Sequence, residues 1–383
     1  RQGELVGPAL AQADLVVDGI VGLSAQGPLR PPAAAVVAAV RAPVVSVDAP
    51  SGVDPDTGAA HGVAVRAVVT VTFGALKPVH LLAAGRCGRV VTVPMPFALG
   101  TSDVGASDAD ASALGALEPA DVAALWPVPG PDDDKYSQGV VGVVAGSATY
   151  PGAAVLCTGA AVTATSGMVR YAGTGRDAVL ARFAEVVAVA DVVEAGRVQA
   201  WAAGPGLGTG DEALGVLRHL LAQEVPVLLD ADAITVVAQH RELLERDAPT
   251  LLTPHAGEFA RLTGAGPGAD RVGAVRAAAR ELGVSVLLKG RTTVLADPGG
   301  QVLVNAASSS WVSTAGAGDV LSGVIGALLA AGVSPLHAGA AGAMVHERAG
   351  ELAAVRAGVG APISATTLLD HLRDAIRDVR ASC

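Results

Sequence analysis

Short, unbroken apolar runs that stop at an acid or a glycine constrain this chain more than any other feature. Asp14-Leu-Val-Val-Asp18, Val44-Val-Ser-Val-Asp48, Val140 to Ala145, Ala200 to Ala203 and Pro226 to Asp230 share this form, and Leu251 to His255 and Val284 to Leu288 are similar runs that stop at a histidine and at Lys289. A strand with one wet face alternates polar and apolar residues; a strand covered on both faces does not. Between the runs lie helical stretches: Pro31 to Val40, Gly152 to Ser166, Glu212 to Gln223, Arg271 to Leu282, Gly318 to Ala331, Leu336 to Glu351 and Ala365 to Arg380. Strands alternating with helices predict an α/β fold with parallel sheets covered by helices. Ala, Gly and Val are abundant and aromatics make up only 3% of the chain, so helices can sit close to a sheet.

At 383 residues the chain exceeds one ordinary domain. Composition changes over residues 98–134, where Ser, Asp, Ala, Pro and Gly replace the apolar runs and only Pro119 to Leu125 reads as a short helix. The expected division is a first domain over 1–100, a linker over 101–116 and a second domain over 117–383. The chain opens on Arg1, with neither a signal nor a transit peptide, and reads as starting inside a domain.

The charge balance excludes some partners. With 26 Lys and Arg against 36 Asp and Glu, the net charge is −10 and no basic stripe stands out, so no nucleic-acid partner is expected. The longest apolar stretch, Val320 to Val333, is interrupted by glycines and falls short of the roughly 20 residues a bilayer span needs, so no membrane partner is expected either. Cys87, Cys157 and Cys383 have no metal-ligand spacing and cannot all pair, which fits a reducing cytoplasm.

The chemistry-bearing residues fall at the ends of the apolar runs. Thr314-Ala-Gly-Ala-Gly-Asp319 precedes a helix of small residues, where unpaired amides and the helix dipole suit a phosphate. An aspartate beside a phosphate is electrostatically odd unless it serves as a base; on the hexapeptide alone it reads equally as a helix cap. Lys289-Gly290 ends a buried strand, where a lysine reaches a phosphate or simply marks an edge. Gly204-Pro-Gly-Leu-Gly208 leaves room for a ligand or makes a tight connection. His255, in Thr253-Pro-His-Ala-Gly-Glu258, sits on a Pro/Gly loop beside a carboxylate. Asp230 and Asp232 hold magnesium or cap a helix, and capping is favoured for Asp232. Open α/β sheets bind ligands in one crevice at the carboxyl ends of their strands, so these signals converge.

In that order, Gly146-Ser147, Tyr150-Pro-Gly-Ala153, Gly204-Pro-Gly-Leu-Gly208, Asp230-Ala-Asp232, Thr253 to Glu258, Lys289-Gly290 and Gly316-Ala-Gly-Asp-Val-Leu-Ser-Gly323 resemble the ADP/ATP-dependent NAD(P)H-hydrate dehydratases, over about residues 117–380. The resemblance implies a ribokinase-like three-layer α/β/α domain. It also implies phosphoryl transfer to the hydroxyl of hydrated NADH or NADPH, with loss of phosphate restoring the reduced nucleotide. ADP, as expected of bacterial members, or ATP is the co-substrate, with Mg2+. By this resemblance Asp319 is the base. Ala153, Gly206, His255 and Asp319 contact the hydrate. Lys289, Gly290, Arg291, Thr292, Thr293 and Gly318 hold the nucleotide.

Val17-Asp-Gly-Ile20 and Ser46-Val-Asp-Ala-Pro-Ser-Gly-Val-Asp54 are similar to the NAD(P)H-hydrate epimerase domain, a Rossmann-like fold often fused to the dehydratase. This implies K+ on Asp18 and Ser51, and hydrate on Gly22, Leu23, Ser24, Ala25, Gln26, Gly27, Pro28 and Asp48. Two departures stand out. Gly22-Leu-Ser24 replaces the family's Gly-Thr-Gly, and the Asn/Gly-rich motif near the domain's start is not in this sequence. Little or no epimerase activity is therefore expected of the 383-residue chain. A homo-oligomer is expected, and the alternative function is a small-molecule kinase of the ribokinase superfamily.

Overall fold

The computed structural model describes residues 9–24, 27–96, 114–165, 167–356 and 358–381. The chain divides into two compact units. Unit 1 comprises Arg1–Asp110 with Gly268–Val272, and unit 2 comprises Ala111–Pro267 with Gly273–Cys383.

Unit 1 is built on four parallel strands in sequential order: β1 (Val16–Asp18), β2 (Val44–Val47), β3 (Val69–Phe73) and β4 (Arg89–Val93). The register sets Asp18 level with Ser46 and Ser46 level with Thr70. Helices Pro31–Ala39, Pro78–Leu82 and Ala84–Cys87 connect them, and proline enters the first two, where its fixed φ suits a helix start. A small core of Ala49, Val53, Val79, Ala83 and Cys87 lies on one side. Cover on both faces, expected from the unbroken runs, is incomplete among the described residues. Val17 is 66% exposed, Phe73 is exposed as well, and the Pro31–Ala39 helix buries none of its residues. Among the described residues β1 is an edge strand, with nothing flanking its outer side within that sheet.

Unit 2 carries a ten-stranded sheet. Its strands are β5 (Leu114–Gly115), β6 (Val140–Val144), β7 (Met168–Ala172), β8 (Val187–Val189), β9 (Ala200–Ala203), β10 (Val227–Leu229), β11 (Thr250–Leu252), β12 (Ser285–Leu288), β13 (Thr292–Ala296) and β14 (Val302–Ala306). They run in the order β5-β14-β13-β12-β11-β10-β9-β6-β7-β8. From β12 to β8 every pairing is parallel, while β12, β13 and β14 form an antiparallel meander. The reversal of strand order between β9, β6 and β10 opens a crevice at the carboxyl ends.

The central strands are dry. Leu228, Leu229, Leu251, Leu252, Leu287 and Leu288 are at most 1% exposed, and truncating any such leucine to alanine costs about 2–5 kcal/mol. The loops at the strand ends therefore hang from a stiff frame. Helix Ala317–Ala330 packs on helix Pro151–Ala164 at very close range. A Cβ at Gly323 would lie 2.1 Å from the Cys157 carbonyl oxygen, so only glycine permits the approach. Among the described residues no helix is long and apolar enough to cross a membrane.

Most runs fold as read, to within two or three residues. Among the elements of unit 2 that were not expected are β7, β8 and the helices Arg176–Arg182, Asp232–Gln239 and Ala256–Thr263. Each is short, and β7 carries Arg170 between its buried residues, which breaks the unbroken apolar signal.

Candidate active site

Three chain segments meet at the carboxyl edge of β10, β11 and β12. Asp230 follows β10 and is 1% exposed. Lys289, at the β12–β13 turn, donates from Nζ to Asp230 Oδ1 at 2.5 Å, and Ser322 Oγ donates to Asp230 Oδ2 at 2.8 Å. Ser322 bridges on to the Gly318 carbonyl at 3.0 Å. Glu258, 5% exposed, brings Oε2 within 3.8 Å of the same ammonium. Burial pulls the Lys289 pKa down, but Asp230 and Glu258 overcome it, and the net shift is upward. Lys289 is a fixed cation.

Gly316, just before the Ala317–Ala330 helix, has φ 84°, the left-handed region that glycine enters without strain. That turn presents the first helical amides, and Asp319 is the third helical residue. Gly318 faces the ion pair: a Cβ there would stand 3.6 Å from Lys289 Nζ and 3.7 Å from Asp230 Oδ2. Burial, and then the negative charge of Asp230, push the Asp319 pKa up to about 6, with Lys289 offsetting part of the shift. The site thus joins a helix N-terminus, a fixed ammonium and a carboxylate that ionises near neutral pH, which suits anion binding and proton abstraction together.

His255 caps the Ala256–Thr263 helix. Its Nδ1 accepts from the amides of Gly257 at 2.9 Å and Glu258 at 3.3 Å, and Glu258 Oε2 accepts the His255 amide at 2.8 Å. This capping box sets the imidazole over half exposed, with Nε2 3.3 Å from Glu258 Oε1.

A cavity of about 410 Å³ opens beside this cluster. It takes in His255, Lys289, Gly290, Arg291, Thr293 and Gly318 of the sequence-predicted residues. Thr292 does not line it; it is buried at the start of β13, 6% exposed. Ala153 and Gly206 lie apart from that cavity but together: a Cβ on Gly206 would meet Ala153 Cβ at 3.1 Å. Asp232 does not cap its helix with its side chain. Oδ2 instead accepts from the Gly208 amide at 2.9 Å and ties down the glycine loop after β9. Asp230 and Asp232 therefore spend oxygens on Lys289, Ser322 and Gly208, so they do not form a free carboxylate pair for magnesium.

The sequence reading did not single out Ser322, His346 or Glu347. Ser322 follows Asp319 by three residues, a helical spacing that could have drawn attention. His346 had no local signal. Its Nε2 donates to the Ala317 carbonyl at 2.8 Å, burial pushes its pKa down to about 4, and the neutral ring lines the cavity.

In unit 1, Asp18 is 3% exposed and well satisfied. Its Oδ1 accepts from Ser51 Oγ at 2.6 Å; its Oδ2 accepts from the Ser51 amide and from Ser46 Oγ, both at 2.9 Å. Asp18 and Ser51 therefore meet as the sequence predicts. Gly22, Leu23, Ser24, Gly27 and Pro28 are exposed residues following β1, while Ala25 and Gln26 lie outside the described residues. Asp48 ends β2 with φ 66°, rare for any residue but glycine.

The family described as NAD(P)H-hydrate dehydratase matches residues 141–373, and the family described as YjeF-related protein N-terminus matches residues 2–79. The bifunctional NAD(P)H-hydrate repair enzyme of Mycobacterium leprae is 56% identical over 98% of this chain and 78% of its own length. Its counterpart in Mycobacterium tuberculosis H37Rv is 61% identical over 86% of this chain and 68% of its own. Among solved structures, the ADP/ATP-dependent NAD(P)H-hydrate dehydratase of Bacillus subtilis, co-crystallised with ATP and Mg2+, is similar at a TM-score of 0.62. It is 26% identical and covers 69% of this chain and 98% of its own. A ribokinase-like protein of Enterococcus faecalis, 22% identical with a TM-score of 0.62 over 70% of this chain and 96% of its own, shares the fold.

Proposed function

This chain belongs to the family of bifunctional NAD(P)H-hydrate repair enzymes, and from that premise we propose that unit 2 dehydrates the S form of hydrated NADH and NADPH at the expense of ADP or ATP. The observation that carries the reading is Asp319. It is a carboxylate raised to about 6, the third residue of a helix whose Gly318 lies beside Lys289.

Asp319 takes the proton of the ring hydroxyl, and the freed oxygen attacks the terminal phosphoryl group as that group's bridging P–O bond breaks, the bond pair leaving on AMP from ADP or on ADP from ATP. The amides from Ala317 to Asp319 and the Lys289 ammonium stabilise charge building on that group. Loss of the new phosphate ester together with a ring proton restores the double bond of the reduced nicotinamide. Lys289, Gly290, Arg291, Thr293 and Gly318 hold the nucleotide in the 410 Å³ cavity. Ala153 and Gly206, with His255, receive the hydrate. Mg2+ enters with the phosphates, neutralising their charge. ADP is the expected donor.

Unit 1 is read as the domain type that interconverts the R and S hydrates, supported by the family match over residues 2–79, with little or no conversion expected of this chain. Asp18, Ser46 and Ser51 supply hard oxygen donors of the kind K+ takes.

The test is direct. The S hydrate is incubated with the protein, Mg2+ and ADP or ATP, and reduced-nicotinamide absorbance and inorganic phosphate are followed. Both should rise together. A stable phosphorylated product without recovered absorbance would make this a small-molecule kinase instead. An R-enriched sample reports on unit 1.

A further inference from the structure

A hydrated dinucleotide carries an adenosine at the end opposite its reactive ring, and that end needs a place of its own. A second cavity of about 350 Å³ lies at the carboxyl edge of the ten-stranded sheet, a size that small-molecule sites commonly have. It is formed by the loops after β6, β7 and β8, by Leu207 of the glycine loop after β9, and by Glu212 in the first turn of the helix Asp211–Leu221. The 410 Å³ cavity instead gathers residues at the ends of β11, β12 and β14. In the order β14-β13-β12-β11-β10-β9-β6-β7-β8, the two cavities fall on opposite sides of β10. Asp230, which follows β10, and its neighbour Asp319 stand between them.

Packed residues lead from the Asp319 turn to this second cavity. A Cβ on Gly316 would lie 2.7 Å from Leu156 Cδ1, so helix Pro151–Ala164 touches that turn at Leu156. Ala153, which meets Gly206, is three residues back, roughly 4.5 Å along the helix axis. Beside Gly206, the Pro205 carbonyl accepts the Gly146 amide at 2.6 Å, and Gly146 opens the loop that walls the cavity.

The lining is acidic. Ser147, Thr149 and Thr174 offer hydroxyls, Asp191 and Glu212 offer carboxylates, and among the described residues no lysine, arginine or histidine lines the cavity. Asp191 Oδ1 accepts from the Val193 amide at 2.9 Å, while Oδ2 has no partner among the described residues. Arg176, two residues past Thr174 in sequence, lies outside the lining and 3.9 Å from Asp177. A carboxylate accepts from the 2′-hydroxyl of a dinucleotide's ribose, whereas a 2′-phosphate is accommodated by an arginine.

We propose that this cavity receives the adenosine end of the hydrate, and that Asp191 and Glu212 make unit 2 selective for hydrated NADH over hydrated NADPH. This rests on reading unit 2 as the dehydratase. The two substrates differ only at the 2′ oxygen of the adenosine. A hydroxyl there donates to a carboxylate; a phosphate sets about two negative charges against Asp191 and Glu212. Selectivity then comes from repulsion of the wrong substrate as much as from attraction of the right one.

The experiment measures kcat/KM of the full chain for the S hydrates of NADH and NADPH separately, with the same phosphate donor and Mg2+. Hydrated NADH should be favoured about 20-fold or more, mostly through KM. Asp191→Asn combined with Glu212→Gln should bring the ratio to within about threefold by lowering KM for hydrated NADPH, and Glu212→Lys should reverse it. Added salt should lower KM for hydrated NADPH alone, because it screens exposed carboxylates. Ala148→Trp, at an exposed position of the cavity wall, should raise KM for hydrated NADH about tenfold. It should leave the hydrate of reduced nicotinamide mononucleotide, which has no adenosine, unaffected. Equal use of the two hydrates by the wild type, a ratio unmoved in the double variant, or the same effect of Ala148→Trp on both probes overturns the proposal. A wild-type chain that dehydrates neither hydrate overturns the reading of unit 2, and this proposal with it.

Discussion

Each unit sets a lysine against an aspartate at the carboxyl edge of a parallel sheet, and the two pairs are built to opposite ends. In unit 2, Asp230 is 1% exposed, with both carboxylate oxygens engaged by Lys289 and Ser322. It is fully occupied, while its neighbour Asp319 is the carboxylate whose pKa is raised to about 6. In unit 1, Asp48 is about a quarter exposed, strained, and bonded on one oxygen while the other stays open. The same two side chains thus make a buried, fully bonded pair in one unit and a partly open one in the other. Burial and the count of remaining lone pairs make the difference.

Four measurements would break or sharpen that contrast. The largest effect is expected at the carboxylate that unit 2 leaves outside its pair. Asp319→Asn should cut turnover of S hydrate about 1000-fold, within the usual range for a lost general base, while nucleotide binding measured by calorimetry holds. Near-normal turnover would remove Asp319 from the chemistry.

Next comes the frame itself. Lys289→Met strands a buried Asp230 and should cost about 3–5 kcal/mol of stability. The matching Lys77→Met should cost about 0–1 kcal/mol, because that pair is partly solvated. Denaturant melts of the two variants decide it, and equal losses would erase the distinction between the pairs.

The third measurement is the pH profile of dehydration. Asp319 must be ionised to act, and its pKa is near 6, so the rate should fall as pH drops through 6. A flat profile down to pH 5 would show that some other group sets the limb.

The smallest effect is on folding. Because the folded pKa of Asp319 is raised, its contribution to stability is complete below the ordinary carboxylate value near 4 and is lost as pH rises through 6. At pH 7 the ionised carboxylate is a cost, so Asp319→Asn should stabilise the chain there by on the order of 1–2 kcal/mol. At pH 4 it should change little. Thermal melts at the two pH values read the difference.

Much of the frame was legible in the residues. Leu251 to His255 and Val284 to Leu288 read as buried parallel strands because both faces are covered, and the structure makes them the centre of the sheet. The extent of the short helix Asp232–Gln239 escaped notice, although its start, Asp230-Ala-Asp232, read as a metal site or a helix cap with capping favoured for Asp232. The structure turned Asp232 toward Gly208, a partner 24 residues away. Asp319 was legible as a base or a cap. Its burial, together with the packing of Asp230 and Lys289 around it, set its ionisation.

The sequence alone determined which residues end the strands, because apolar periodicity and glycine punctuation are local properties of the chain. It also marked where phosphate chemistry concentrates, since Gly316 to Asp319 carries its own helix start. Only the tertiary structure decided which charges neighbour one another. It joined Asp230 to Lys289 across 59 residues and Asp48 to Lys77 across 29. It buried the first pair and left one oxygen of the second open. Desolvation and hydrogen-bond saturation belong to positions in space, and spacing along the chain does not encode them.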